Sequence, residues 1–387
     1  VKELLEQSVA RLREVAPELW HRVGIYSAGL GSRDTEHPII VAGIQSVYRR
    51  ACELDAFDLV VIDEAHMIPP DGDGMYRTFL AEARRVNPNL RVIGLTATPF
   101  RMTTGSICGP GNILSSICYE ISVRELIVQG YLCPLVTKGG REDLDTDGLH
   151  VRAGEFVADE VEALMDQAER VESACAEIVE YTRDRKSCLA FASGVQHARH
   201  VAETLRRMGG EVATVFGKTP ADERAKVIAD FRQGRLKYLV NVNVLTHGFD
   251  APNVDCVAML RPTMSPGLYY QMVGRGFRLC EGKEDCLVLD FGGNVLRHGP
   301  VDAIRIREPG SNGHGEAPAK KCPQCRALIA TGYAICPQCG YEFPPPERQM
   351  HDPRASTAGI LSGQATTTEH DVHETYYSCL LYTSDAA

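Results

Sequence analysis

The chain has 387 residues, 44% of them hydrophobic and 24% charged, with a formal net charge of −10 at pH 7. That length allows two or three domains with real cores, and the composition is that of an ordinary globular protein. An acidic balance excludes a surface coated in positive charge, so any contact with a polyanion must follow a local track. No apolar run approaches the roughly 18 residues a membrane helix needs, and the charged, amphipathic N-terminus is unlike a signal peptide.

Leu5, Val9 and Leu12 recur at helical spacing, so the chain opens inside an amphipathic helix with no strand before it. Strands are expected at Val23–Tyr26, Ile39–Ala42, Leu59–Ile62 and Val92–Leu95, with helical segments between. That alternation implies a parallel, doubly wound sheet over residues 1–135, and the run Leu59–Ile62 reads as buried on both faces. Gly and Asp clusters mark residues 136–155 as a linker. A second strand-and-helix domain then runs over 156–307, with strands at Cys188–Ala192, Tyr238–Val242, Cys256–Leu260 and Leu287–Leu289. Ser193 is placed to cap a helix whose stripe is Val195, Ala198, Val201, Leu205 and Met208, stopped by Gly209-Gly210. Thr219-Pro220-Ala221-Asp222 resembles a capping box for the next helix. Residues 308–320 read as a second linker, and 346–378 as a flexible segment at the start of a further, truncated domain. Residues 379–387 look like a translated sequencing adapter and are set apart from the fold.

The chemistry concentrates at strand ends. Asp63-Glu64 closes the Leu59–Ile62 strand, where nucleotides bind in open α/β sheets. Asp63 suits holding Mg²⁺, and Glu64 suits orienting the water that attacks a γ-phosphate. Such a pair by itself is more often a solvated strand end. His66, Thr96 and Thr98 stand at adjacent strand ends, within hydrogen-bonding reach, although the threonines alone would read as turn residues. Further on come Gly248-Phe249-Asp250-Ala251-Pro252 and Gln271-Met272-Val273-Gly274-Arg275-Gly276-Phe277-Arg278. Arg275 and Arg278 are three apart, so one helix face could present both; a surface salt-bridge pair is the plainer alternative. Gln45, Ser46, Ser193, His197 and Thr246 are polar groups at strand ends that suit phosphate contact, with a capping Ser or a buried Thr as an equally good reading. Gly217-Lys218-Thr219 imitates the end of a phosphate-binding loop, but Val212 stands where the first glycine belongs.

Fourteen cysteines do not make a disulfide framework. Most are scattered singly through apolar strands, as small core residues of a reduced, cytoplasmic protein. Cys322-Pro323-Gln324-Cys325 and Cys336-Pro337-Gln338-Cys339 differ: two C-x-x-C turns can converge four thiolates on one structural Zn²⁺, giving a ribbon over 321–345. Lys320, Lys321 and Arg326 would lend that ribbon a positive face for nucleic acid; a docking knob is the alternative.

In order and type, the Asp63–His66, Thr96–Pro99, Gly248–Pro252 and Gln271–Arg278 segments resemble motifs of superfamily 2 helicases of the DEAH-box sort. With Leu260–Thr263, Leu287–Gly293 and the Cys₄ ribbon, the chain from about residue 3 to 345 is similar to RadD-type bacterial DNA helicases and their phage relatives. The resemblance implies two RecA-like domains, the first truncated, that use ATP and Mg²⁺ to work on single-stranded or duplex DNA in repair or recombination, possible partners being repair proteins. It makes Asp63, Glu64, His66, Arg275 and Arg278 catalytic, the arginines as fingers reaching the γ-phosphate, and sets Thr96, Thr98, Gly248, Asp250 and Gln271 around the nucleotide. The family's phosphate-binding loop is missing from this sequence, so this exact polypeptide is expected to be inactive. A non-hydrolysing nucleic-acid- or protein-binding module, or a restriction-system motor subunit, would use the same fold.

Overall fold

In the computed structural model, residues 2–69, 74–101, 105–245, 251–303 and 319–344 are described below. Six strands form one parallel sheet in the order Val212–Val215, Tyr238–Asn241, Cys188–Ala192, Cys256–Leu260, Cys286–Asp290 and Leu135–Gly139. Each of the central strands is a continuous apolar run, because helices cover both faces and leave no solvated side to alternate with. Alternate residues divide the core in two. Leu189, Phe191, Val257, Met259 and Val288 face Phe231, Tyr269, Met272 and Val273; Cys188, Ala190, Ala258, Leu260 and Leu289 face Val171, Ile178, Val201 and Leu205.

Three expectations fail here. Residues 135–139 are no linker: they are the sheet's edge strand, parallel to Cys286–Asp290, and Val151–Arg152 pairs with Glu155–Phe156 as a hairpin. The Gly and Asp residues that suggested a linker lie mainly in the turns between these pieces. Nor does Ser193 cap the helix Val195–Arg207, whose N-cap is Gly194 without a side-chain bond. The carboxylate of Glu162 does that work from the helix Ala158–Met165, accepting from the amides of Gln196 at 2.7 Å and His197 at 3.1 Å. It fits because Gly194 has no Cβ; one there would lie 1.9 Å from the Glu162 carboxyl carbon. Thr219 likewise serves a turn, accepting from the Phe216 amide, and Pro220 is the N-cap of Ala221–Arg232.

The N-terminal part contains all four expected strands, within a residue or two of their positions, but not in one hydrogen-bonded sheet. Val23–Ser27 lies between Ser32–Arg33 and Ile39–Ala42, parallel to the latter, while Leu59–Ile62 pairs, among the described residues, only with Arg91–Gly94, also in parallel. Burial on both faces is not observed either. Val60 and Ile62 pack with Leu80 and Leu90, whereas Leu59 and Val61 are 47% and 53% exposed because no described element covers their face.

Removing the Glu162 carboxylate strips the helix Val195–Arg207 of its cap. Glu162→Ala should lower unfolding stability by about 1 kcal/mol, the usual worth of such a cap, as read by urea denaturation. An unchanged midpoint would contradict it.

Candidate nucleotide site and metal centre

The turn after Leu59–Ile62 is shaped by backbone first. Glu64 adopts the left-handed conformation (φ 50°, ψ 48°), sparsely populated for a non-glycine residue and typical of functional turns. Its amide donates to Asp63 Oδ1 at 2.9 Å. The neighbouring strand ends are laced together: Leu95 N–H donates to Ile62 O, and Ala65 N–H to Leu95 O, at 2.8 and 2.9 Å. Ala65 is fully buried against Gly94, where an added Cβ would meet the Ala65 Cβ at 2.8 Å. Side chains then join the two ends. His66 Nδ1 lies 3.0 Å from Thr96 Oγ1 and 3.3 Å from Glu64 Oε2. Thr96 Oγ1 accepts from the Thr98 amide and donates to the Thr98 carbonyl, both at 3.1 Å. Asp63 is exposed, and Tyr76 stands near it; burial first, then the Asp63 charge, push the Tyr76 phenol up.

The arginine-bearing segment belongs to the helix Pro266–Gly274, capped by Ser265 Oγ, which accepts from Leu268 N–H. An added Cβ on Gly267 would lie 3.9 Å from Thr98 Oγ1, so the start of this helix sits beside the threonine turn. Gln271 is half-buried on the helix, and Arg275 is its C-cap, with Nε donating to Gln271 O. Arg278 does not share a helix face with Arg275, because the helix ends at Gly274. Gly276 then passes so close to Cys286 that an added Cβ would lie 2.5 Å from its Sγ. The backbone beyond is pinned by Cys133 N–H to Phe277 O at 2.8 Å and by Lys283 Nζ to Arg278 O, also at 2.8 Å. Gly248, Asp250 and Thr246 lie outside the described residues.

A buried polar network at the root of this helix went unread in the sequence. Glu155 accepts from Thr263 Oγ1 and from Met264 N–H, holding the turn into the helix. His298 Nε2 is 2.8 Å from Thr263 O, and its ring stacks on Tyr269. Asp290 accepts from Val295 and Gly292 amides and from Asn294 Nδ2, while Asn294 Oδ1 accepts from Thr263 N–H. Burial raises the Asp290 pKa, and these bonds oppose that. The signal was available: like Asp63, Asp290 is a carboxylate at the end of a wholly apolar strand.

The polar strand-end residues divide. Gln45 is exposed, and Ser46 Oγ accepts from Ala28 N–H. Ser193 and His197 are corrected: both are buried, at 7% and 1% exposure, with Ser193 Oγ 2.5 Å from His197 Nδ1. Interior side chains do not meet a nucleic-acid backbone, and this helix end already holds Glu162.

At the C-terminal end, the sulfur atoms of Cys322, Cys325, Cys336 and Cys339 lie within 4.8 Å of one another, with Cys322–Cys339 and Cys325–Cys336 at 3.7 and 3.6 Å. A tetrahedral Zn²⁺ with Zn–S near 2.3 Å sets its sulfurs about 3.8 Å apart, so the donor set fits that ion. The expected positive face is not free for nucleic acid. Lys321 pairs with Asp143 at 2.7 Å, Arg326 with Glu177 and Tyr181, and Lys320 lies over the Phe343 ring.

The family described as helicase conserved C-terminal domain matches residues 161–280, and the type III restriction enzyme res subunit family matches residues 1–101. Together these matches support a superfamily 2 helicase. It is 38% identical over 247 residues to a Schizosaccharomyces pombe protein named as a mitochondrial ATP-dependent helicase, irc3, covering 62% of this chain and 39% of that protein. With the Saccharomyces cerevisiae ATP-dependent helicase IRC3 it shares 28% over 300 residues, 76% of this chain and 42% of the relative. The chain thus spans about two fifths of these relatives' length. Its fold matches a fragment of an HsdR subunit of a type I restriction enzyme from Vibrio vulnificus, with a TM-score of 0.53 and 23% identity over 72% of this chain and 54% of that one. Among the described residues, no helix is long and apolar enough to cross a membrane.

Burial holds His197 neutral and lowers its pKa from 6.5 to about 4, with the nearby His200 lowering it further and Asp166 opposing. The unfolded chain therefore binds the proton first, and stability falls as pH drops below 6.5 toward 4. Between pH 7.5 and 5 this group should cost about 2 kcal/mol of unfolding free energy. A pH series of urea denaturation on the native chain and on His197→Gln should show that part of the loss vanishing in the variant.

Proposed function

We propose that this helicase chain is the motor core of an ATP-driven DNA helicase or translocase. The observation that carries the reading is the bonded path from Glu64 through His66 to Thr96 and Thr98, which ends beside the helix bearing Arg275. A carboxylate poised for water, tied by hydrogen bonds to the turn facing the second sheet, can relay nucleotide state to a nucleic-acid track. In this reading Asp63 holds Mg²⁺, which neutralises phosphate charge; Glu64 takes the proton of the attacking water. Arg275 and Arg278 supply transition-state charge as fingers, with Gln271, Gly248 and Asp250 lining the nucleotide and Gln45, Ser46 and Thr246 touching phosphate. DNA, rather than another polymer, is favoured by the type I restriction relative, and a role in repair or recombination by the likeness to RadD-type helicases. Singly scattered thiols suit a reducing compartment such as the cytoplasm.

In the longest natural polypeptide that contains this chain, Glu64→Gln should keep ATP binding and lose nearly all turnover. Arg278→Ala should lose about 10³-fold or more in kcat. Steady-state hydrolysis with and without DNA measures both, and wild-type turnover by Glu64→Gln would refute the assignment.

We further propose that the four cysteines bind one structural Zn²⁺, closed to catalysis because the thiolates fill the tetrahedron. Metal analysis should find one zinc per chain, lost on Cys336→Ser.

A further inference from the structure

The two C-x-x-C turns are built alike except at one position. In each, the first cysteine's carbonyl accepts the amide of the residue after the second cysteine: Arg326 N–H to Cys322 O, and Gly340 N–H to Cys336 O, both at 2.9 Å. Both donating residues are left-handed, Gly340 at φ 75° and Arg326 at φ 61°. Glycine occupies that conformation without penalty, whereas an L side chain pays on the order of 1 kcal/mol. An arginine there needs a compensating contact.

Its contacts are all on the six-stranded sheet and its helices. Arg326 O accepts from Gly139 N–H at 3.0 Å, and Ala327 bridges Lys138, so the turn extends the edge of Leu135–Gly139. The guanidinium donates to Tyr181 OH at 2.5 Å and lies 3.5 Å from Glu177. Glu177 is 3% exposed, and the Arg141 backbone amide bonds both its carboxylate oxygens at 3.0 and 3.1 Å. Lys138 stacks its ammonium on the opposite partner of the same cluster, the Tyr181 ring. The ribbon's base, Ala319 and Leu328, belongs to the main core.

We infer that Arg326 turns metal loading of the ribbon into a latch on the sheet: with Zn²⁺ bound, the closed first turn holds Arg326 left-handed and delivers its guanidinium to Glu177 and Tyr181, clamping the edge strand Leu135–Gly139 to the helix Ala168–Tyr181. This rests on the zinc reading above. When the metal leaves, the turn has no reason to stay closed, Arg326 relaxes to negative φ, and a buried carboxylate loses its cation. Metal binding and docking are therefore linked, and each must strengthen the other by the same factor. The clamped strand follows directly on Cys133, which bonds the arginine segment at Phe277, so the latch acts on the connection between the two halves.

Arg326→Gly separates the two roles, because glycine suits the left-handed turn and leaves the four thiolates intact. In the wild-type chain, chelation of zinc should raise amide hydrogen exchange in 135–139 and 174–181 by about tenfold or more, the scale of a coupling of this kind. Arg326→Gly should still carry one zinc, bind it about tenfold more weakly in competition with a chelator, and show fast exchange in those segments with or without metal. Arg326→Lys should fall between the two, since it keeps charge but not the planar fork. Exchange that ignores chelation in the zinc-loaded wild type, or an Arg326→Gly variant indistinguishable from it, would overturn the latch. A wild-type chain that carries no zinc would overturn the metal reading as well, and the metal content tells these failures apart.

Discussion

Parallel strands with both faces covered leave polar chemistry few outlets other than the strand ends. Side chains along Cys188–Ala192 or Cys256–Leu260 are wholly enclosed, so a charged group there would be buried without a partner. The six-stranded sheet therefore ends its strands on Ser193, Arg261 and Asp290, and the two-stranded sheet ends on Asp63 and Leu95-Thr96. Each carboxyl edge becomes a site or a brace, depending on what it meets. Asp63 meets solvent. Asp290 meets the amides of its own turn and so roots the helix that carries Arg275.

The helix Pro266–Gly274 shows how such bracing reaches function. Its start is tied through Thr263 and Met264 to Glu155, and the segment after it is tied through Phe277 to Cys133. Glu155 and Cys133 flank the edge strand Leu135–Gly139. One stretch of chain thus touches both ends of the arginine-bearing element, and a shift in that stretch would re-aim it.

What the sequence revealed was local. Strand positions came from uninterrupted apolar runs, and the Asp63, Thr96 and Gln271 segments from residue types whose spacing survives any tertiary setting. What it concealed depended on distant partners. Glu162 capping a helix more than thirty residues away leaves no mark in a window that shows only Ser193. Ser193 and His197 looked like phosphate ligands because a strand end is normally open, yet here it is closed by that carboxylate. Residues 136–139 resembled a linker because this edge strand carries Thr, Lys and Gly among its apolar residues and is followed by Gly and Asp turns. The exposure of Leu59 and Val61 was equally unreadable, since an apolar run specifies a strand and says nothing about what covers it.

That uncovered face has a colloidal consequence. Leu59, Val61, Ile93 and Leu95 are exposed apolar side chains on or beside a pair of parallel strands that, among the described residues, pair with no third strand. Open strand edges beside exposed aliphatic side chains are templates for self-association. At high concentration such a chain would gather edge to edge, and the acidic net charge, spread over the whole molecule, is too diffuse to prevent a contact of this directness.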